Sequence, residues 1–219
     1  MPAAPVPRVL VPDRADAWGD VHVVLPDGIA PPASVPTEMF ASALDAYLTG
    51  RRLDMQSLAR NVGVGRATLY RRVGNREQLL DHVIWWRGRR MVASQVIMTG
   101  HLCGAPRIAA VVAGALRAIE HDRPLRALIE SEPDVALRIL TGSRSVAGHG
   151  MATALARLID LERSHGAFDA DLDAPPLAFA IIRISEGFLY ADVIGDRAPD
   201  VGQAITVIRA LLAGLNRRA

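Results

Sequence analysis

Residues 53–83 read LDMQSLARNVGVGRATLYRRVGNREQLLDHV, and this stretch shows two short helical patterns separated by a glycine. Asp54 is a typical helix N-cap, and apolar residues at helical spacing follow it until Gly63 interrupts the pattern. A second short helix is predicted over residues 66–73, directly after this glycine. Two helices joined by so tight a turn form a helix-turn-helix arrangement, in which the second helix enters the major groove of DNA. The stretch therefore predicts a DNA-binding head.

The outward side of this second helix carries side chains that suit contact with DNA. At about 100° per residue, Leu69 and Val73 set the inward side, which leaves Thr68 and Arg71 facing outward. Arg71 can donate two hydrogen bonds to guanine, and Thr68 can contact a base through its hydroxyl or methyl group. Arg66, at the helix start, can reach bases or phosphate. Phosphate contacts are predicted for three flanking residues: Tyr70, Arg72 and Arg76.

Positive charge is concentrated around the same stretch. All 25 basic residues are arginine. Residues 51–91 hold 10 arginines and 3 acids, whereas residues 1–50 hold 2 and 6, and residues 92–219 hold 13 and 14. A preference for arginine in the whole chain explains the missing lysine but not this uneven placement. A polyanion is therefore the expected partner.

Composition excludes several classes of protein. The 219 residues are 50% hydrophobic and 22% charged, which is typical of globular chains of one or two compact units. The single cysteine, Cys103, excludes an internal disulfide framework and is expected to be a buried apolar residue. The histidines lack metal-ligand spacing, so neither a metal nor a cofactor is predicted. The longest apolar run, residues 108–116, is far below the roughly 20 residues of a membrane span, and no export signal opens the chain, so a cytoplasmic address is expected.

Proline and periodicity suggest three segments. Residues 1–36 contain 8 of the 14 prolines, which predicts an extended or disordered arm; its acidic balance argues against a role in the minor groove. The run VHVVL at residues 21–25 is compatible with a strand, but it has no sheet to join. Thr37 is expected to cap the first helix of a head over residues 37–90. Residues 91–219 are expected to form a helical body.

The body shows helical periodicity with short connections. Helices are predicted over six ranges: 105–121, 124–131, 133–140, 145–165, 175–190 and 201–218. The last helix has an apolar stripe at helical spacing and therefore needs a partner helix. No long stretch alternates with period two, so the predicted fold class is all-α.

The run from Leu53 to Val83 closely resembles the DNA-binding head of TetR-family transcriptional regulators. The resemblance is carried by these residues: Gly63, Val64, Ala67, Thr68, Leu69, Tyr70, Asn75, Arg76, Leu79 and Leu80. Val73 stands where many members have phenylalanine, and Arg76 stands where lysine is commoner. The resemblance implies that Tyr70 and Arg76 bind phosphates. It implies that the residues nearest the bases are Arg66, Thr68, Arg71 and Gln56.

The family resemblance also implies a function for the body. Such a body dimerises through its last two long helices and holds a small-molecule effector that lowers DNA affinity. The chain is accordingly expected to be a homodimeric repressor that leaves a near-palindromic operator when it binds a small, largely apolar effector. The predicted interface residues are Ile205, Ile208, Leu212 and Leu215. The doublet Trp85-Trp86 with Arg87, Arg89 and Arg90 resembles the subgroup named QsdR, which is associated with control of quorum-signal lactone degradation.

Four residues are candidates for the ligand pocket: Trp86, Phe179, Arg183 and Glu186. Trp85 and Trp86 are adjacent and face different ways, so at most one of them can stack against a ligand, and core packing is the alternative for both. Arg183 and Glu186 are three residues apart on an apolar helix, where they can pair with each other or hold a polar ligand group.

Two other functions stay open at this point. One is a helical binding module that acts through a protein partner without sequence-specific DNA binding, although the intact basic face argues against it. The other is a helical enzyme, for which a nucleophile and a nearby base would be needed. No turn in the sequence is built to expose such a nucleophile.

Overall fold

The computed structural model describes residues 15–142, 144–195 and 197–217, with side chains from residue 19 onward. In these ranges all regular structure is helical, which confirms the all-α class. The helices are α1 Ala15–Val24, α2 Thr37–Leu48, α3 Met55–Asn61, α4 Arg66–Val73, α5 Arg76–Met98, α6 Gly104–Glu120, α7 Arg123–Ser131, α8 Pro133–Thr141, α9 Val146–Ser164, α10 Ala174–Leu189, α11 Ala191–Ile194 and α12 Val201–Leu215.

Helices α2, α3, α4 and the first turns of α5 form the head, and side-chain caps explain where two of them, α3 and α5, begin. The Asp54 carboxylate accepts hydrogen bonds from the backbone N–H groups of Gln56 and Ser57, as predicted. Asn75 and Gln78 form a reciprocal capping box at the start of α5. The predicted cap at Thr37 is wrong. Helix α2 already includes Thr37, because Pro36 takes the N-cap position.

Helix α5 is continuous from the head into the body. It contacts α2 in the head, and α6 and α9 in the body. The predicted boundary between residues 90 and 91 therefore falls inside a helix that both units share. Asp81 of α5 fixes this arrangement, because its buried carboxylate accepts hydrogen bonds from the Ser145 hydroxyl and from the N–H groups of Val146 and Ala147 at the start of α9.

In the body, α6 and α9 pack against α5, while α10 packs on α9 and α12 packs on α6 and α10. Five of the six helices predicted here agree with the structure to within one residue at each end, and the last ends earlier, at Leu215. A buried ion pair joins two of them, with 2.8 Å between Arg107 Nη1 and Glu162 Oε1. Cys103 is exposed, contrary to expectation, because it occupies the N-cap of α6 before the buried face begins.

The N-terminal segment is a helix where an extended arm was predicted. No proline lies between Pro12 and Pro26, so nothing interrupts α1, which also takes up most of the possible strand. Val21 and Val24 are buried, and α1 packs on α5 and α9. Asp20 adds a 2.6 Å ion pair with Arg107. The part of the predicted arm over residues 1–14 lies outside the described residues.

Candidate functional site: a recognition helix and an apolar cavity

Helix α4 is held against α3 by its apolar side. Leu69 and Val73 are buried, and α3 contributes Leu58 and Ala59 to the same core. Gly63 has a φ of +67°, a conformation that glycine adopts without strain, and the next residue donates its N–H back to Ala59 across 3.0 Å. The turn therefore fixes α4 with one side in the core and the other in solvent.

The solvent side of α4 is cationic and unpaired. Arg66, Arg71 and Arg72 are exposed, and none of them makes a hydrogen bond or ion pair with another residue in the part of the chain that the structure describes. Tyr70 is 42% exposed and Thr68 is half-buried on the same helix. Gln56 is exposed at the start of α3. These side chains form what we call the recognition face: Gln56, Arg66, Thr68, Tyr70, Arg71 and Arg72.

Arg76, predicted to contact phosphate, is instead bound by the protein itself. Its Nη1 donates to Glu132 Oε2 across 2.8 Å, its Nη2 donates to Glu132 Oε1 across 2.5 Å, and its Nε donates to the Leu53 carbonyl across 2.8 Å. Glu132 lies at the junction of α7 and α8, in the body. A neighbouring pair, Glu77 with Arg138, also joins α5 to α8. These two pairs are called the head–body junction below.

A cavity of about 270 Å³ lies in the body between α5, α6, α9 and α10. Its walls are mainly apolar. Tyr47 of α2 also lines it, so the head contributes directly to the wall. The ionisable residues on the wall are Tyr47, Arg87, Asp122, Glu186 and Tyr190.

Burial dominates the electrostatics of these ionisable groups. It raises the pKa of Glu186 to about 7, against the opposing effect of Arg183, whose Nη2 lies 2.8 Å from Glu186 Oε1. Burial also raises the pKa values of Tyr47 and Tyr190, so both phenols stay neutral at physiological pH. Arg87 lies 2.6 Å from Asp122 and stacks over the Tyr47 ring. The cavity is therefore a mainly apolar space whose wall holds two neutral phenols, one carboxyl group of raised pKa and the Arg87–Asp122 ion pair.

The structure places the four predicted pocket residues in different surroundings. Glu186 lines the cavity. Trp86 does not, because it packs edge-on against Phe40 with ring centroids 5.6 Å apart. Phe179 is 58% exposed on the outer side of α10. Arg183 is partly exposed, pairs with Glu186 and stacks over Phe179 rather than lining the cavity.

Sequence reasoning missed Trp85, which lines the cavity in place of its neighbour. Adjacent helical residues point about 100° apart, so the doublet alone does not say which ring faces the body. A signal lay further along the chain at Gly150, where an added Cβ would come within 2.4 Å of the Trp85 ring. Tyr47, Asp122 and Tyr190 were missed because they reach the cavity from separate helices or helix ends.

The stripe predicted for dimerisation lies largely inside the protomer. Ile205, Ile208 and Leu212 are buried, and Leu215 is half-buried. Helix α12 turns this side toward α6 and α10 of the same chain. The stripe does need a partner helix, but that partner is in the same protomer.

The described residues contain neither a membrane-spanning helix nor a metal-binding cluster. No helix among them is long and apolar enough to cross a membrane. In the same part of the chain, no three His, Cys, Asp or Glu residues are grouped so that they could hold a metal ion.

Comparison with known proteins identifies the family. The sequence model of the protein family described as "Tetracyclin repressor-like, C-terminal domain" matches residues 103–213 of this chain. The structure is similar to that of the R. erythropolis transcriptional repressor QsdR from the TetR family, with a TM-score of 0.72 and 31% sequence identity, covering 84% of this chain and 99% of that chain. Comparison with curated proteins gave no match. The chain therefore belongs to the TetR family of DNA-binding transcriptional regulators, which are not enzymes.

Proposed function

We propose that the protein is a homodimeric repressor whose DNA affinity falls when a small, largely apolar effector enters the cavity. The main support for this proposal is the position of Tyr47, which belongs to the head and lines the cavity. An occupant therefore touches the head directly. The protein acts in the cytoplasm, where its operator lies.

The recognition face makes the DNA contacts. Arg71 reads guanine with two hydrogen bonds, Thr68 contacts a neighbouring base, and Arg66 and Gln56 lie at the edge of the base contacts. Tyr70 and Arg72 contact phosphates, which position the helix without reading sequence. Their exposure and the absence of competing partners in the described chain support these roles. Arg76 holds the head to the body, since its donors are already bound.

Helix α5 couples the two functions. Its first turn is tied to α8 through the head–body junction, and its middle lines the cavity. An effector that moves α5 relative to α7 and α8 changes the positions of the recognition faces. Release is effective only if the effector prefers the non-binding arrangement by a few kcal/mol, on the order of 10³ to 10⁴ in affinity ratio.

The dimer forms through the outward sides of α10 and α12, away from the buried stripe. Phe179 provides an exposed aromatic anchor on α10. Gly187 on α10 and Gly214 on α12 have open space beside them, which allows a second copy to approach closely. Two recognition faces then engage successive major grooves about 34 Å apart on a near-palindromic operator.

Footprinting on the DNA that flanks the protein's own gene tests the proposal. We expect two protected half-sites about one helical turn apart, and weaker protection when an effector is added. A protein that protects no specific sequence at low salt contradicts the repressor role. A matched Arg71→Ala variant shows whether the protection depends on the recognition face.

A further inference from the structure

A second depression adjoins the cavity and is open to solvent. This groove, of about 550 Å³, lies between the segment after α1 and the first turns of α9. Arg89, Arg144, Arg157 and His149 line it, and Asp27 is its one acidic residue among those described. The groove is therefore positively charged, in contrast to the apolar cavity beside it.

Arg89 is a buried cation in this groove without a carboxylate partner. It is 6% exposed. Its Nη2 donates to the Ala30 carbonyl across 2.7 Å and its Nη1 donates to the Gly28 carbonyl across 3.1 Å, while its Nε has no hydrogen-bond partner. Burial lowers the pKa of Arg89, which Asp27 only partly opposes. A buried charge of this kind is stabilised by an opposite charge, and a bound anion would supply one.

Two further arginines at the groove are free to bind an anion. Arg144 and Arg157 are exposed, and neither is hydrogen-bonded or ion-paired within the described ranges. Arginine side chains in this arrangement favour carboxylate or phosphate groups, which they bind through two parallel hydrogen bonds.

The groove and the cavity are separated by a thin wall. Val24, Trp85 and Ala154 line both spaces. The half-buried Trp85 ring lies against Gly150, with the Arg89 guanidinium 5.9 Å from its centre. A ligand that occupies both spaces has to displace part of this wall, in which Trp85 is the largest side chain.

We propose that the groove and the cavity form one binding site for a single-chain amphiphile with an anionic headgroup. The apolar chain occupies the cavity, and the headgroup binds Arg89, Arg144 and Arg157. The one arginine on the described cavity wall, Arg87, is already paired with Asp122, so the cavity offers an anionic headgroup no free cation and the reverse orientation is disfavoured. The inference rests on the proposed role of the cavity as the effector site and adds the class of ligand.

Calorimetric titration of the full chain with three matched probes tests this assignment. The probes are decanoate, decanol and decyltrimethylammonium, all below their micelle-forming concentrations. Decanoate should bind about tenfold more tightly than decanol, since charge-assisted hydrogen bonds are the stronger kind, and the cationic probe should bind most weakly. Equal binding of decanoate and decanol overturns the inference.

A variant pair locates the headgroup. The double substitution Arg144→Ala with Arg157→Ala should remove the preference for decanoate and leave decanol binding unchanged. Arg117→Ala is the matched control, because Arg117 is an exposed arginine of α6 outside both spaces. A double variant that keeps the full preference for decanoate overturns the headgroup assignment.

The same probes separate this inference from the proposed function. If decanol releases operator DNA as effectively as decanoate, effector control stands and the anionic headgroup is wrong. If the unliganded protein binds no specific DNA, the proposed function fails, whatever the titrations show. Decanoate binding that depends on both arginines still supports the site in that case.

Discussion

The arginines of α4 and those of α5 have the same chemistry but lie in different surroundings. Arg71 and Arg72 of α4 extend into solvent without partners in the described chain. Arg76 and Arg87 of α5 are paired with carboxylates of the body, and Arg89 is buried among backbone carbonyls. The first group extends from the surface, and the second is held within the protein. A cluster of arginines in sequence therefore includes both the exposed side chains of the recognition face and the paired side chains that join the head to the body.

This difference has a consequence for regulation. The arginines of α5 join the head to the body in one orientation. In the proposed dimer, that orientation sets the distance between the two recognition faces. Under the proposed function, a change in the body therefore alters DNA binding without touching the recognition face.

The largest effect is expected where a charge is placed in the core of the body. Ile208→Glu puts a carboxylate at a residue that is 1% exposed, and should destabilise the fold by more than about 3 kcal/mol. Phe179→Glu, on the outer side of α10, should leave the fold intact and yield monomers. Urea unfolding and sedimentation check both variants. If Ile208→Glu instead gave a folded monomer, the dimer interface would be the apolar stripe of α12.

Arg71→Ala should lower operator affinity by about 1 to 3 kcal/mol, because one pair of hydrogen bonds to a base is lost. The thermal midpoint should stay the same, since Arg71 has no partner within the described chain. Titration of operator and scrambled DNA measures the change. An equal loss on both DNAs removes Arg71 from the base contacts.

Arg72→Ala is the matched control for the neighbouring position. It should weaken binding to every sequence alike and reduce the slope of affinity against salt by about 1, because one phosphate contact is removed. A sequence-dependent loss at this position would move Arg72 from the phosphate contacts to the base contacts.

The junction should show a smaller effect, on stability. We expect a coupling energy of about 1 kcal/mol between Arg76 and Glu132 in a double-mutant cycle, since the pair is bidentate but its Arg76 side chain is 20% exposed. The variants are Arg76→Ala, Glu132→Ala and the combination of both, followed by urea unfolding. If Arg76→Ala lowered operator affinity and the cycle showed no coupling energy with Glu132, Arg76 would be a phosphate contact after all.

The smallest expected effect is a pH dependence from Glu186. Its pKa of about 7 lies above the ordinary value of 4.5, so the folded state holds the proton more tightly than the unfolded state. Stability should therefore fall as pH rises between these two values and level off above them, by about 1 kcal/mol, since solvent in the cavity screens the charge. In urea unfolding, Glu186→Gln should make the free energy of unfolding depend less on pH. An unchanged pH dependence would show that another group causes it.

The head was predictable from sequence because its signals are local. The ends of the helices are set by Asp54, Gly63 and the Asn75–Gln78 capping box. The buried side of α4 is set by Leu69 and Val73. Each of these signals acts over a few residues.

The helices of the body were predicted correctly, but the contacts made by their sides were not. An apolar stripe such as that of α12 indicates that another helix packs against it, but the sequence does not show whether that helix belongs to the same chain or to a second copy. The position of Trp85 against Gly150, and of Arg76 against Glu132, depends on how distant helices cross. Helix α1 was missed because the prolines on both sides of it dominated the composition of the segment.

The most direct test of the account is fluorescence anisotropy of operator DNA with the wild-type chain and with a variant carrying Arg66→Ala, Arg71→Ala and Arg72→Ala. The account predicts that the variant keeps the wild-type thermal midpoint and dimer but loses specific binding. A variant that binds the operator as tightly as the wild type would show that α4 does not contact DNA, and the account would be contradicted.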